Sequence, residues 1–126
     1  MLARNVLLVI SMIFHPPALV YWRAPFSLLW LPNFDAPYLP ISYKMLEVGV
    51  LRALPVLESG KSVMVYCREG RHRSVAMACC VLVGLGYTAD DAMVLVKERR
   101  EAADPDIWYI QERIRKFEQR WGERTQ

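Results

Sequence analysis

One short stretch of the sequence places a cysteine among several cationic side chains. In VMVYCREGRHRS, residues 63–74, four apolar or aromatic residues lead into Cys67. The six positions that follow it hold four cationic or partly cationic side chains: Arg68, Arg71, His72 and Arg73. Nearby positive charge favours the ionised form of a thiol and lowers its pKa below the ~8.5 of a free cysteine. The stretch therefore predicts a nucleophilic thiolate beside a site for an anion.

The elements around this stretch explain how it would hold an anion. The run KSVMVY predicts a buried strand, residues 61–66, and an apolar run predicts a helix from Arg73 to about Leu85. A loop that leads from the carboxyl end of a strand into a helix points backbone N–H groups into one concavity, where the positive end of the helix adds to them. We therefore predict an anion cradle between this strand and this helix.

Three residues in and after the loop have specific roles in that interpretation. Gly70 allows the sharp turn that the cradle requires. The planar guanidinium of Arg73 is able to hold two oxygens of a phosphoryl group through paired, charge-assisted bonds. Ser74 is able to donate a hydrogen bond to the sulfur when the sulfur leaves. An inert buried cysteine with surface arginines is the alternative, but it does not explain three arginines on one short loop.

The rest of the chain predicts an α/β fold. Buried strands are expected over residues 5–11, 26–32 and 61–66, and helices over residues 41 to about 57, 73 to about 85, 88 to about 101 and 104 to about 121. Asp104 and Pro105 are expected to begin the last helix as N-cap and first-turn residue. Strands that are apolar on both faces favour three layers, with a mainly parallel central sheet flanked by helices.

Composition and length limit the class of protein. The chain of 126 residues fits one domain, residues 1–126, and its 54% hydrophobic and 23% charged residues are typical of a globular protein. A net charge of +3 is too mild for a nucleic-acid surface, so no nucleic-acid partner is expected. No apolar run approaches the ~20 residues of a membrane span. The N-terminal run, residues 6–14, favours a strand over a secretory signal because no cleavage site follows it.

The cysteines and histidines indicate the compartment and the absence of a metal. Cys79 and Cys80 are neighbours on an apolar run, where they are expected in the core, and with Cys67 they make an odd set. That pattern argues against a disulfide framework and favours a reducing cytoplasm. A resolving thiol for oxidised Cys67 is the alternative role for Cys79 and Cys80. Only two histidines are present, and no Cys/His pairs have ligand spacing, so we expect no metal and no organic cofactor.

CREGRHRS resembles the Cys-x5-Arg-Ser/Thr signature loop of the cysteine-based protein tyrosine and dual-specificity phosphatases. The resemblance implies a tyrosine-phosphatase-like fold in a minimal form without antiparallel edge strands, and a phosphocysteine intermediate on Cys67. It also implies a phosphorylated protein or peptide as substrate, and oxyanions such as phosphate, sulfate or vanadate as ligands or inhibitors. The family usually carries His before the cysteine, where this chain has Tyr66. The implied phosphate-binding loop consists of Arg68, Glu69, Gly70, Arg71, His72 and Arg73.

Phosphoryl transfer from an ester also needs a proton for the departing oxygen. The family keeps an aspartate for this purpose on a loop that follows a strand and a proline and precedes the cysteine. In WLPNFDAP, Asp35 lies three residues after Pro32. The resemblance therefore implies that Asp35 is the general acid and later the general base. A solvated turn aspartate is the alternative, since aspartates are common in loops.

Several other residues have two possible interpretations, one functional and one structural. Gln111, in WYIQERI, matches a region of related phosphatases where it would position water, and helix-surface packing is the alternative. Arg68 and Arg71 are expected at the pocket mouth, where they would select acidic substrates unless they are simply solvated. His72 either raises the local potential or stacks on a substrate, and the alternative is a loop histidine that points to solvent. The aromatic residues Trp108, Tyr109, Phe117 and Trp121 are expected in the core or in an interface.

The expected function is phosphomonoester hydrolysis of the protein tyrosine or dual-specificity type. Phosphatases of phospholipids and phosphoinositides carry basic residues at positions 68 and 71 as well, so these substrates and RNA 5′ ends are alternatives. Tyr66 in place of His motivates a third reading, a catalytically weak phosphate-binding pseudophosphatase. Sulfur transfer or arsenate reduction would use a similar loop but would not need Asp35.

Overall fold

The computed structural model describes residues 6–12, 27–32, 41–67, 72–100 and 103–124. Within these ranges, strands and helices lie close to where the sequence predicts them. The strands are β1 (Val6–Ser11), β2 (Ser27–Trp30) and β3 (Ser62–Tyr66). The helices are α1 (Tyr43–Glu58), α2 (Arg73–Gly84), α3 (Ala89–Arg99) and α4 (Trp108–Arg124). All of these bounds lie within three residues of the predicted ones except the start of α4.

The three described strands form a parallel sheet in the order β2-β1-β3. Ile10 of the central strand pairs with Leu29 on one side and with Val65 on the other. Leu8, Val9 and Ile10 are almost fully buried. Because successive residues of a strand point to opposite faces, β1 is covered on both sides. This arrangement, flanked by helices, confirms the predicted α/β fold with a mainly parallel sheet.

Hydrogen bonds continue past the ends of the strands at the carboxyl edge of the sheet. The Met12 amide donates to the Tyr66 carbonyl at 2.9 Å, and the Leu31 amide donates to the Ser11 carbonyl at 2.8 Å. The residue that follows β3 therefore leaves the sheet from a fixed position. That residue is Cys67.

Helix α2 is the centre of the helical packing, since it contacts α1, α3 and α4. Most of its side chains are apolar and buried, including Met77, Cys79 and Cys80, as predicted for the two cysteines. Phe117 of α4 is also fully buried. Fully burying a side chain of this size contributes roughly 1.5–3 kcal/mol. Apolar packing therefore holds in place the helix whose first turn follows the cysteine loop.

The N-terminus of α3 is capped from two directions. The Asp91 amide donates to the Thr88 hydroxyl oxygen at 3.1 Å, which makes Thr88 the N-cap of this helix. The Ala89 amide donates to a carboxylate oxygen of Glu118 on α4 at 2.6 Å. A carboxylate is favourable at the positive end of a helix, so this bond joins α4 to α3.

The predicted start of the last helix is wrong. Asp104 and Pro105 lie in a turn, and α4 begins at Trp108, where the Ile107 carbonyl accepts from the amides of Ile110 and Gln111. Asp104 does not act as the N-cap because its carboxylate faces His72. The helix also extends past its predicted end to Arg124. Of the aromatic residues predicted in the core or in an interface, Phe117 is buried in the core, whereas Trp108 is 62% exposed and lies outside it.

Candidate active site

Cys67 and Ser74 meet at the carboxyl edge of the sheet. The Cys67 thiol donates to the Ser74 hydroxyl oxygen across 3.2 Å. Cys67 is half-buried directly after β3, and Ser74 is buried in the first turn of α2. The end of the strand and the start of the helix therefore bring together two side chains that lie seven residues apart.

The side chain of Arg73 is tied to the central strand. Its Nη1 atom donates to the backbone carbonyl of Met12 at 3.2 Å. Met12 is itself hydrogen-bonded to Tyr66, the residue before the cysteine. Sequence reasoning missed this contact, because any residue type supplies a backbone carbonyl and the sequence gives no sign of it. The bond orients the guanidinium relative to the sheet edge where Cys67 lies.

The N-terminus of α2 departs from the usual pattern of a helix start. No acidic side chain lies in its first turn, and the N-cap residue His72 makes no side-chain capping bond. Arg73 instead adds a positive charge to the positive end of the helix, where a cation is unfavourable. A helix start of this kind is suited to bind an anion, which would compensate both charges.

His72 is held between two residues of the segment that leads into α4. Its Nε2 atom lies 3.6 Å from a carboxylate oxygen of Asp104, and its ring meets the ring of Tyr109 edge-on at 5.9 Å. The His72 side chain is only 13% exposed, so the alternative in which it points to solvent is wrong. Sequence reasoning missed Asp104 as its partner because the Asp-Pro pair resembles a helix cap.

Several predicted site residues lie outside the described residues. These are Asp35, Arg68, Glu69, Gly70 and Arg71. Their roles stay predictions. Gln111 lines a cleft between α3 and α4 together with Met93 and Lys97. Its role in positioning water stays a prediction as well.

The other two cysteines are chemically different from Cys67. Cys79 and Cys80 are fully buried in α2. Burial raises the pKa of the Cys79 thiol to about 12 and raises that of Cys80 well above its ordinary value. Thiols of this kind stay protonated near neutral pH and are inert.

Comparison of sequences identifies a curated relative. Mouse dual specificity phosphatase 28 is 32% identical over 99 residues, which make up 77% of this chain and 60% of the mouse protein. The chain thus aligns with less than two thirds of the length of that relative. No protein-family model matches the chain. Within the described residues, no helix is long and apolar enough to cross a membrane.

Solved structures share the fold over almost the whole chain. A crystal structure of a mouse protein assigned as a dual specificity phosphatase, complexed with zinc tungstate, superposes with a TM-score of 0.84 at 25% identity. The match covers 98% of this chain and 76% of that one. The crystal structure of PTPMT1 in complex with PI(5)P has a TM-score of 0.79 at 21% identity, with 97% and 82% of the two chains covered. At 21% identity, the similarity to PTPMT1 shows a shared fold and nothing more.

A parallel sheet whose edge cysteine precedes an arginine and a serine at the start of a buried helix is the architecture of the cysteine-based tyrosine phosphatases. In its fold and in its sequence relative, the chain is similar to the dual-specificity phosphatases within that group. The resemblance seen in the signature loop is thereby confirmed.

Proposed function

We propose that this chain is a cysteine-dependent phosphomonoester hydrolase of the dual-specificity type, folded as one domain over residues 1–126. Its substrate class is phosphorylated protein or peptide. The contact between Cys67 and Ser74 carries the proposal, because it joins a candidate nucleophile to a hydroxyl group that is able to stabilise it as a leaving group.

In the first proposed step, the Cys67 thiolate attacks phosphorus. The bond between sulfur and phosphorus forms as the bond between phosphorus and the ester oxygen breaks. Asp35, in its protonated form, gives its proton to the departing oxygen. The products of this step are a phosphocysteine and a free alcohol or phenol.

In the second proposed step, water replaces the cysteine on phosphorus. The Asp35 carboxylate takes a proton from the attacking water, and the bond between phosphorus and sulfur breaks. The electron pair of that bond returns to sulfur, where the Ser74 hydroxyl donates a hydrogen bond to the thiolate. Inorganic phosphate leaves, and Asp35 is protonated for the next cycle.

Arg73 and the amides of the loop are the proposed binders of the phosphoryl oxygens. The bond from Arg73 to Met12 supports this role, since it fixes the guanidinium before substrate arrives. The positive end of α2 adds to the same field. Preorganised charge of this kind is usually the largest contribution to catalysis of phosphoryl transfer. The cycle uses neither a metal nor an organic cofactor.

Oxyanions such as phosphate, sulfate and vanadate are proposed as ligands or inhibitors of the same site. The mouse relative complexed with zinc tungstate, a tetrahedral oxyanion salt, supports this part of the proposal. The proposed compartment is the cytoplasm, because a reducing environment keeps Cys67 as a reactive thiol.

The proposed function is tested by turnover of para-nitrophenyl phosphate between about pH 5 and pH 8. We expect activity in the native chain and its loss in Cys67→Ser, with Cys79→Ser as the matched control that keeps the activity. An absence of turnover across this range would instead favour a phosphate-binding pseudophosphatase. A panel of phosphopeptides, phosphoinositides and 5′-phosphorylated RNA then tests the substrate class, and a preference for lipid or RNA would contradict it.

A further inference from the structure

A second basic site lies between α1 and α4. A cavity of about 250 Å³ is lined there by three cationic side chains of α4: Arg113, Lys116 and Arg120. Because their spacing is three, four and seven residues, these side chains share one face of the helix. Leu46, Phe117 and Tyr43 supply apolar and aromatic lining. The described lining thus combines three cations with an apolar wall and contains no carboxylate.

The charges of a second cavity, on the other side of α4, are compensated. That cavity, of about 410 Å³, lies between α3 and α4. Its lining includes Lys97, which donates to Asp106 at 2.6 Å, and Arg115, which donates to Asp90 at 2.7 Å. Each of its cations therefore has a carboxylate partner within the cavity wall. Between α1 and α4 the compensation is only partial. Glu112 pairs with both Arg113 and Lys116, and Glu47 hydrogen-bonds to Tyr43 but also accepts from Arg124.

The three cations of the first cavity are only partly engaged. Arg113 donates through Nη2 to Glu112 at 2.9 Å, and Lys116 lies 4.0 Å from the same carboxylate. The guanidinium of Arg120 lies over the ring of Tyr43 at 4.9 Å. The Nε atom of Arg113 is buried and has no hydrogen-bond partner within the described residues.

We infer that the cavity between α1 and α4 is a binding site for the phosphate group of an aryl or alkyl phosphate, separate from the Cys67 loop. The guanidinium of Arg113, which lines the cavity, pairs with a phosphate oxygen, and Lys116 and Arg120 balance the remaining charge of the dianion. The organic part of the ligand packs on Phe117 and Leu46. The cavity volume is several times the ~30 Å³ share of one water molecule, which leaves room for a ring beside the phosphate.

This ligand chemistry has two possible sources. One is a phosphotyrosine side chain of a polypeptide, and the other is a free aryl phosphate. The site itself is independent of the proposed function, since none of its residues belongs to the proposed catalytic set.

The test uses Cys67→Ser protein labelled with ¹⁵N and titrated with phenylphosphonate, which is not hydrolysed. The readout is the NMR cross-peak of the Arg113 Nε–H group, assigned by its loss in Arg113→Lys. We expect a saturable shift of this cross-peak. The Arg73 Nε–H cross-peak reports separately on the Cys67 loop. The cavity site and the proposed function therefore fail independently: a stationary Arg113 signal contradicts the first, and a stationary Arg73 signal contradicts the second.

A pair of double variants with equal loss of charge provides the control. Lys116→Gln with Arg120→Gln should weaken binding at Arg113 by about tenfold or more, since two charge-assisted contacts are lost. The control double variant combines Lys97→Gln and Arg115→Gln on the other cavity. It should change the affinity for phenylphosphonate at Arg113 by less than about twofold. The inference is overturned if both double variants weaken binding equally, or if the Arg113 signal stays fixed up to ~10 mM phenylphosphonate, a concentration that detects even millimolar affinity.

A peptide that carries a phosphonomethyl-phenylalanine residue distinguishes the two sources. Binding at Arg113 about tenfold tighter than for phenylphosphonate assigns the site to a polypeptide, because contacts beyond the ring then contribute. Equal binding assigns it to a small aryl phosphate. Either result supports the site, and a peptide that shifts only the Arg73 signal contradicts it.

Discussion

The sulfur of Cys67 lies 3.2 Å from the hydroxyl oxygen of Ser74, with the cysteine at the end of a strand and the serine in the first turn of a buried helix. The pair links the two proposed chemical steps, because the sulfur that attacks phosphorus in the first step must leave it in the second. The packing of α2 in the core keeps the hydroxyl group in position for that departure.

Replacing Ser74 by alanine should slow the second step more than the first. The departing thiolate loses a hydrogen bond worth roughly 1.5–3 kcal/mol, so breakdown of the phosphocysteine should slow about tenfold to a hundredfold. Rapid-quench kinetics should then show a burst followed by slow turnover, and intact mass spectrometry should show accumulated phosphoenzyme. Ser59→Ala, at the exposed end of α1, is the control and should show neither change. Equal slowing of both phases would contradict the assigned role.

Alkylation should distinguish the three cysteines of the native protein. With a pKa of about 12, the Cys79 thiol is ionised in on the order of one molecule in 10⁵ at pH 7. Iodoacetamide at this pH should therefore modify Cys67 alone, as read by peptide mass spectrometry. Added phosphate should slow the modification of Cys67. Denatured protein, in which all three thiols react, serves as the control. Label on Cys79 or Cys80 before unfolding would show that α2 is packed more loosely than described.

Asp104 should matter for activity through His72. Asp104→Ala removes the carboxylate beside the imidazole, which directly precedes Arg73, so the start of α2 loses one of its supports. We expect kcat/KM to fall about fivefold to thirtyfold, which corresponds to one or two kcal/mol. Asp104→Asn, which keeps the size and the hydrogen-bond acceptor, should recover part of that loss.

The matched control for Asp104 lies in the same turn. Asp106→Ala removes an exposed carboxylate that accepts from Lys97, and it should leave kcat/KM within about twofold. A similar loss in both alanine variants would indicate a general effect of the turn and not a role of His72.

Glu118 should contribute to stability without affecting the chemistry. Glu118→Gln weakens the bond to the Ala89 amide at the start of α3, so the free energy of unfolding should fall by about 0.5–2 kcal/mol. Urea denaturation measures the change, and Glu123→Gln on the exposed face of α4 is the control. Unchanged stability in Glu118→Gln would mean that water replaces the carboxylate at no cost.

The sequence predicts the strands, most of the helices and the chemical character of the loop because these depend on local patterns. β1 and β3 are apolar on successive positions, and Thr88 followed by Asp91 is a local cap. The position of Cys67 at the sheet edge follows from the parallel arrangement that such strands adopt. These features were predictable without knowledge of distant contacts.

The contacts that were missed join residues far apart in the chain. Arg73 reaches a backbone carbonyl that any residue would supply, and Asp104 has the local sequence of a helix cap although its carboxylate faces His72. Trp108 is exposed at the first residue of α4, although its apolar side chain favours burial. Tertiary contacts decide all three, and local propensity does not contain them.

The most direct test of the central claim is to trap the phosphoenzyme. The chain is mixed with para-nitrophenyl phosphate, quenched in acid within the first turnover and digested, and the phosphorylated peptide is sequenced by mass spectrometry. We predict phosphate on the sulfur of Cys67 and none in the Cys67→Ser variant. Turnover that continues in Cys67→Ser, or phosphate found on another residue, would contradict the account.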